Sequence, residues 1–335
     1  MQDRNVYEAG RRRLLAAFAY AGAAAALGPA ISRAQSAADT RPIRLILPVG
    51  PGSGVDTITR SATPALSAAL HQTVVVENMP GAGGIVGTSA LVREKPDGHT
   101  LGMVSNNHAT FPSVYKSVPF DPIGDITPIS MIGSTPLLLV INPKRLPANN
   151  VQEVIALIKA KPGQYNHASS GNGTILHLAM EMFLWQAGLQ ARHIPYRGVG
   201  PMVTDLISGQ VDIGVLSYPS VMPHLQSGAL KAVGACGARR SSVLPDLPTI
   251  REQGLKDYEV DGWFAMIGPK GLADKDVQRV YQGLQTAFRT EGVKASMAQQ
   301  GNDITLMPPE KTAAFFVSEA KKYAAIVKAA KLEPQ

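Results

Sequence analysis

The fold of this chain is decided by residues 43–56, which read IRLILPVGPGSGVD. The first five residues form a short β-type run, and a glycine-rich loop then leads into an amphipathic segment of helix length that begins at Asp56. The same order of strand, loop and helix recurs along the chain. Such alternation is typical of an α/β protein in which a mostly parallel sheet is covered by helices.

Two series of these units follow one another. The predicted strands of the first series are 43–47, 73–77 and 100–104, with helices at 56–70 and 84–94. The second series opens on the continuous apolar run LLLVI at 137–141, which fits a buried strand. Its other predicted strands are 165–168, 192–195, 211–216 and 230–236. Five strands with helices between them make a second complete sheet.

The C-terminal part of the chain contains one more extended apolar run, WFAMI at 263–267, followed by predicted helices at 274–288, 292–299 and 309–330. Because these helices have almost no strands of their own to cover, we predict that they pack back onto the first sheet. The chain then crosses between two domains twice, and the two crossings form a hinge. The predicted domains are 41–135 plus 268–335 for domain 1 and 137–266 for domain 2, a division that the length of 335 residues supports.

Residues 1–34 have the order of an export signal peptide. A basic cluster at 11–13 precedes an Ala-rich apolar stretch, and a small-x-small pattern ends at Ala34, near which we predict cleavage. The apolar stretch is shorter than the roughly 20 residues that a membrane-spanning helix needs. The pair Arg11-Arg12 fits the twin-arginine route, and the basic cluster also fits the Sec route. Both routes predict a periplasmic protein.

The charge balance excludes nucleic acid as a partner. The full chain carries 32 Lys and Arg against 25 Asp and Glu, and residues 1–34 hold five of the basic and two of the acidic ones. The predicted mature protein therefore has 27 basic and 23 acidic residues, a net charge of +4, and no long basic run with interleaved aromatic residues. We interpret the small excess as weak attraction for anions.

Two glycine-rich loops each lie between the end of a predicted strand and the start of a predicted helix. The first covers 48–56, and the second, ASSGNGT, covers 168–174. Glycine lets a backbone approach a ligand closely, and the N–H groups at a helix start attract anions. Such loops also serve tight packing alone, but in open α/β sheets they lie at the carboxyl ends of strands, where ligands bind. One loop in each domain predicts a ligand in the cleft between the domains.

The predicted ligand-binding residues come from these two loops and from the segment after the third strand. For Asp56 two interpretations stay open, because its carboxylate could stabilise the helix start or contact the ligand. The residues assigned from this pattern are Gly52, Ser53, Gly54, Val55, Asp56, Ser105, Asn107, Ser169, Ser170, Gly171, Asn172, Gly173 and Thr174.

The sequence favours binding over catalysis. It contains no HExxH pair, no Cys and His cluster with zinc spacing, no GxSxG elbow and no phosphate-binding loop, so we predict no catalytic residue, no metal and no cofactor. Ser105 and His108 are close in sequence, but we interpret their segment as hydrogen-bonding lining of the cleft. Cys236, the only cysteine, lies in a predicted strand and fits an inert buried thiol.

Short motifs recur in a characteristic order along essentially the whole mature chain. They are PIRLI at 42–46, VVVEN at 74–78, PGAGG at 80–84, PDGHTL at 96–101, PFDP at 119–122, ASSGNGT at 168–174, HIPYRG at 193–198, GQVD at 209–212 and LPDLPT at 244–249. Together they resemble the Bug receptors, also called the TctC-type substrate-binding components of tripartite tricarboxylate transporters.

The resemblance implies a two-domain α/β fold of the periplasmic-binding-protein type II, which closes on a small organic carboxylate in the cleft. It implies that main-chain amides and ordered waters of the two glycine-rich loops hold that carboxylate. It also implies delivery of the ligand to integral membrane transporter subunits, and we expect a monomer. A ligand-sensing receptor for a two-component system and an enzyme on the same fold are the alternatives.

Several loop positions differ from the residues that are common in that family. Ser53 replaces a common glycine, whereas Val55, Ile85 and Phe111 replace residues that are often polar. Ser217 lies where an acidic or Asn pair is frequent, and we include it among the predicted ligand-binding residues. This loss of polar groups predicts a less polar ligand tail, such as an aromatic or longer aliphatic acid, rather than a citrate-like polyacid.

Overall fold

The computed structural model of the protein describes residues 41–329 and 333–334. The predicted export signal and its cleavage point near Ala34 lie outside the described residues. The strands are β1 (Ile43–Leu47), β2 (Val74–Asn78), β3 (Thr100–Ser105), β4 (Ile126–Thr135), β5 (Leu137–Ile141), β6 (Asn166–Ser169), β7 (Arg192–Pro195), β8 (Ile213–Ser217), β9 (Lys231–Ala235), β10 (Gly262–Pro269) and β11 (Asp303–Ile304).

Helices alternate with these strands, as the hydrophobic periodicity predicts. They are α1 (Gly54–Leu70), α2 (Ile85–Val92), α3 (Asn106–Val114), α4 (Val151–Ala160), α5 (Ile175–Ala187), α6 (Val199–Ser208), α7 (Tyr218–Gln226), α8 (Asp274–Arg289), α9 (Glu291–Gln299) and α10 (Pro309–Ala329). None of the helices between residues 41 and 329 combines the length and the apolar character that crossing a membrane requires.

The strands form two sheets, which confirms the predicted α/β class. The first sheet has the order β11-β4-β10-β3-β1-β2 and the second has the order β7-β6-β8-β5-β9. In the first sheet β1 pairs in parallel with β2 and β3, and in the second β6 pairs in parallel with β7 and β8.

The sheets are mixed, so the prediction of mostly parallel sheets is wrong. Strand β10 pairs antiparallel with both β3 and β4, and strand β5 pairs antiparallel with both β8 and β9. Each of these two strands enters its sheet from the other domain. Strand β5 comes directly after β4 of domain 1, and β10 follows the return of the chain from domain 2. A strand that arrives in this way is not joined to its neighbour by a crossover helix, which would make the two strands parallel. Its own sequence does not encode its direction.

The chain crosses between the sheets twice, as predicted. The first crossing is at Pro136, between β4 and β5, where the sequence places it. The second crossing comes before Gly262, because β10 lies wholly within the first sheet and all eight of its residues are buried. The predicted end of domain 2 at Met266 is therefore too late. We propose 41–135 plus the chain from 262 onward as domain 1, and 137–261 as domain 2.

The C-terminal helices pack against the first sheet, in agreement with the prediction. Helix α8 packs on α1, where Gly283 leaves room for Leu70, since a Cβ at Gly283 would collide with that side chain. Helix α10 packs against β4 and α3. These contacts hold α1 and α3, whose first turns face the cleft, on the same rigid support.

Candidate functional site

A cleft of about 430 Å³ lies between loops of the two domains. Each of four loops follows the carboxyl end of a parallel strand, which is where open α/β sheets bind ligands. The lining residues are 48–50, Ser53, 80–84, Asn107, Tyr115, 170–172, Thr174 and 195–199.

The first loop is shaped by the start of α1. Ser53 is the N-cap residue, and its hydroxyl accepts a hydrogen bond of 3.2 Å from the N–H of Asp56. Gly52 has a left-handed φ of 77°, which glycine adopts without strain. The first N–H groups of a helix have no partner within it, so Gly54 and Val55 begin α1 as hydrogen-bond donors at the cleft.

Asp56 stabilises this loop through hydrogen bonds to its carboxylate. Its carboxylate accepts hydrogen bonds from the N–H of Gly52 at 3.0 Å and from Arg60 and Asn78 at 2.9 Å each. The side chain is buried and lines no part of the cleft. Of the two interpretations from sequence, the structure agrees with a first-turn carboxylate that holds the helix start.

The second loop leads into α5 in a similar way. Thr174 is the N-cap residue, and Gly171 and Gly173 have φ values of 133° and 71°. The hydroxyl of Ser169 donates to the carbonyl of Gly171 at 3.1 Å and accepts from the N–H of the same residue at 3.2 Å. Ser169 and Gly173 thus set the shape of the loop, while Ser170, Gly171, Asn172 and Thr174 line the cleft.

Helix α3 of domain 1 contacts this loop of domain 2 directly. Asn107 accepts a hydrogen bond of 2.8 Å from the N–H of Ile175, and Thr110 donates one of 3.1 Å to the carbonyl of Gly173. At the end of the helix, the hydroxyl of Tyr115 donates to the carbonyl of Asn172 at 2.7 Å. These bonds join the two domains across the cleft, so the structure represents a closed arrangement.

A recess of about 60 Å³ continues the cleft inward, and the two share Ser53, Asn107 and Ser170 in their linings. The predicted residues Gly54, Val55, Ser105 and Ser217 line this recess. Thr135 lines it too, and its buried hydroxyl has no hydrogen-bond partner among the described residues. The recess therefore has room for a small polar group or for bridging waters.

Most of the residues predicted from sequence meet in this one place. The exceptions are Gly52, Asp56, Ser169 and Gly173, which shape the two loops without lining the cleft or the recess.

Sequence analysis missed two further loops and one aromatic residue. Loops 80–84 and 195–199 follow β2 and β7 and carry the same glycine-rich signal as the two predicted loops, so the signal was present in PGAGG and HIPYRG. Tyr115 had no such signal, because it lies at the end of a helix that the periodicity did not predict. Only packing brings it to the cleft.

The electrostatic character of the site is simple. Arg197 is the one formally charged side chain among the residues that line the cleft and the recess, and it is exposed. No Asp or Glu is among these lining residues. The site therefore has donors and a positive charge for an anion, and no carboxylate to pair with an ammonium group.

Two of the candidate base and nucleophile side chains, His108 and Cys236, are buried in the core. His108 is buried against Phe111 and Phe316, and its Nε2 donates a hydrogen bond of 2.6 Å to the carbonyl of Pro122. Burial lowers the pKa of His108 to about 4 and raises the pKa of the Cys236 thiol to about 12. Within residues 41–329 and 333–334, no group of three or more His, Cys, Asp and Glu side chains is arranged to hold a metal ion.

Comparisons with known proteins agree with this geometry. The sequence pattern of the family described as tripartite tricarboxylate transporter family receptor matches residues 58–332. Protein BugT of Bordetella pertussis is 35% identical over 290 residues, which cover 86% of this chain and 89% of BugT.

Two solved structures have the same fold over nearly their whole length. The periplasmic binding protein BugD superposes with a TM-score of 0.85 at 30% identity, covering 88% of this chain and 99% of BugD. A protein of R. palustris, solved with adipate, superposes with a TM-score of 0.85 at 26% identity, covering 89% of this chain and 99% of that protein.

Proposed function

The chain belongs to the tripartite tricarboxylate transporter receptor family, and we propose that it is a periplasmic solute-binding protein that closes on a small organic carboxylate. The observation that carries this proposal is the meeting of two capped helix starts, that of α1 at Gly54 and that of α5 at Ile175, at the recess between the domains. A helix start has a partial positive charge and N–H groups without a partner in the helix, which suit a carboxylate. In α5 the N–H of Ile175 donates to Asn107, so Gly54 and Val55 of α1 are the proposed main-chain donors.

The proposed position of the carboxylate is the inner recess. Main-chain N–H groups of Gly54 and Val55 and the hydroxyls of Ser53, Thr135 and Ser217 provide its polar wall. The unpartnered, buried hydroxyl of Thr135 supports this assignment, because a buried polar group costs free energy unless it finds a partner. A recess of about 60 Å³ also leaves room for bridging waters, as the family resemblance implies.

The remainder of the ligand would occupy the outer cleft. Its volume of about 430 Å³ is within the range of roughly 300–1,000 Å³ that is usual for small-molecule sites. Prolines, glycines, Val49, Val199 and the ring of Tyr115 make up much of the wall. We therefore propose an aromatic or longer aliphatic acid. The R. palustris relative was solved with adipate, an aliphatic acid with two carboxylates. Amino acids are disfavoured as ligands, because no acidic side chain in the lining can pair with their ammonium group.

We further propose that the protein delivers this solute to integral membrane transporter subunits, acts as a monomer and catalyses no reaction. Membership of a transporter receptor family supports delivery. Genes for such membrane subunits beside this gene would favour transport, whereas a sensor kinase gene without them would favour the sensing alternative.

A thermal-shift screen tests the binding proposal. The panel is benzoate, adipate, succinate, malate, citrate, aspartate and glucose, each at up to 10 mM. At 100 times its Kd, a ligand adds about 2.7 kcal/mol to the free energy of unfolding, which such a screen detects. We expect benzoate or adipate to stabilise the protein most. Stabilisation by glucose alone would contradict the carboxylate site, and chemical change of the recovered acid would favour the enzyme alternative.

The proposed export has its own test. We expect mass spectrometry of protein from a periplasmic extract to show an N-terminus near Gln35, and a variant with Lys at positions 11 and 12 to separate the two routes. Loss of export in that variant would indicate the twin-arginine route, and normal export would indicate the Sec route.

A further inference from the structure

Three histidine rings form a stack directly beneath the second cleft loop. His167 of β6, His193 of β7 and His177 of α5 lie nearly parallel, with ring centroids 4.8 Å apart for the first two and 4.0 Å apart for the last two. His167 and His177 are buried, and His193 is partly buried. This cluster is not part of the cleft lining, and the proposed function does not use it.

Two of the rings hold the loop by hydrogen bonds. The N–H of Gly173 donates to Nδ1 of His177 at 3.2 Å, and the hydroxyl of Ser169 lies 2.7 Å from Nε2 of His193. Ser169 and Gly173 do not line the cleft, but they set the backbone conformation of the loop. Gly173 has a left-handed φ of 71° there. The stack therefore sets the backbone of the residues that line the cleft.

The bond to Gly173 defines the protonation state of His177. Because Nδ1 accepts a hydrogen bond from an N–H group, it must carry a lone pair, and the proton of the neutral ring is then on Nε2. Nε2 lies 3.5 Å from Oε1 of Glu181, one helical turn further along α5. The same carboxylate oxygen lies 3.1 Å from Nε2 of His167.

The groups that face the stack come from three elements. They are His167 of β6, His193 of β7, and His177 and Glu181 of α5. Strand β8, on the other side of β6, contributes Ile213 opposite His167, and α3 meets α5 through the apolar contact of Val114 with Leu178. Glu181 is thus the one acidic group among the described residues that contacts the stack.

This environment disfavours a charge on His193. Burial lowers the pKa of His193 to about 3, and repulsion from His177 and His167 contributes. Burial by itself would raise the pKa of Glu181, but its contacts with His167 and His177 outweigh that effect and hold the pKa below its usual range. The parallel rings also direct their nitrogens into separate planes, which does not suit a shared metal ion.

We propose that His177 is a positioning residue for the cleft loop. Its unprotonated Nδ1 accepts the hydrogen bond from the N–H of Gly173 and thereby stabilises the left-handed turn that precedes Thr174. Loss of this acceptor releases the loop, so that solute binding weakens. Only this last consequence rests on the proposed function, because the coupling between His177 and the loop is a property of the protein alone.

NMR of the full chain, labelled with ¹⁵N and ¹³C and without any solute, tests the coupling. At pH 7.5 we expect the ring of His177 to carry its proton on Nε2. A proton on Nδ1 at that pH would overturn the proposal.

A matched pair of variants separates positioning from packing. In H177N the side-chain oxygen lies near the position of Nδ1 and can accept from Gly173. In H177L the side chain has the same branching and no acceptor. We expect amide exchange of Gly173 to be about 5- to 10-fold faster in H177L than in H177N at pH 7.5.

Equal exchange in the two variants would show that His177 does not position the loop. If both variants unfolded, the position of the ring proton in the wild-type protein would still decide the question. None of these measurements uses a solute, so the proposal can fail while the ligand screen succeeds, and the screen can fail while the coupling is confirmed.

Discussion

The hydroxyl of Tyr115, at the end of α3 in domain 1, donates a hydrogen bond of 2.7 Å to the carbonyl of Asn172 in the cleft loop of domain 2. Loop 80–84 packs closely against the same contact, so closely that a Cβ on Gly83 would collide with the Tyr115 hydroxyl. A bond between the two domains can form only when the cleft is closed. Contacts of this kind are how a binding protein stabilises its closed state over its open state.

Removing this bond should therefore weaken solute binding. In Y115F the ring remains and the hydroxyl is lost, so we expect the closed state to lose about 1 kcal/mol and the affinity to fall about 5-fold. Calorimetric titration with the acid that gives the largest thermal shift measures the change. Y281F, at a partly buried position packed against the core of domain 1 and outside the cleft lining, is the control. Equal affinity in both variants would mean that the contact does not contribute to closure.

A side chain at Gly173 should disrupt the cleft loop. Its φ is 71°, and an added Cβ would lie 2.7 Å from a methyl carbon of Val114. Gly163 has a φ of 72° with no atom near its Cβ position, so G163A carries the same backbone strain without the collision. We expect the backbone strain to cost both variants about 1 kcal/mol of stability, and the collision to cost G173A more. Only G173A should lose affinity, by at least about 10-fold. Retained affinity in G173A would argue against a binding role for this loop.

Arg197 should attract the anionic solute without holding it tightly. Because the side chain is exposed, its contribution should be small and screened by salt. We expect R197Q to reduce affinity about 2- to 5-fold in 20 mM salt and less in 500 mM salt. Arg192 is also exposed but lies outside the cleft lining, so R192Q is the control. An R197Q effect that does not depend on salt would contradict a purely electrostatic role.

Stability should fall in acid because of the histidine stack. The pKa of His193 is about 3 in the folded protein, against 6.5 for the unperturbed group. Between these two values the unfolded chain binds more protons than the folded one, so the stabilisation is complete above pH 6.5 and is lost as the pH falls towards 3. Glu181, whose pKa is also lowered, acts in the same direction below its ordinary pKa of 4.5.

Urea unfolding at pH 7.5, 5.5 and 4.5 measures this loss. We expect H193Q to reduce the dependence of stability on pH, because glutamine places an amide near Nε2 and does not titrate. H71N replaces an exposed histidine whose left-handed conformation asparagine tolerates, so it should leave the dependence unchanged. Parallel pH profiles for the wild type and H193Q would exclude His193 as the cause.

Much of the fold could be predicted because its signals are local. The strand Ile43–Leu47, the helix that follows it and the apolar run Leu137–Ile141 are each recognisable from a few consecutive residues. The long strand β4 and the helix α3 were missed. Helix α3 has Pro112 and a polar first turn, so its periodicity is weak, and its position depends on packing against α10.

Sequence by itself determined the alternating elements, the two crossings, the glycine-rich loops 48–56 and 168–174, and the family motifs. These are encoded in neighbouring residues, through hydrophobic periodicity and the backbone freedom of glycine. Tertiary structure alone decided the direction of β5 and β10, the bond from Tyr115 to Asn172, and the stacking of His177 on His193. Those features join residues that are far apart in the chain, and their geometry exists only when the two sheets and their helices have packed.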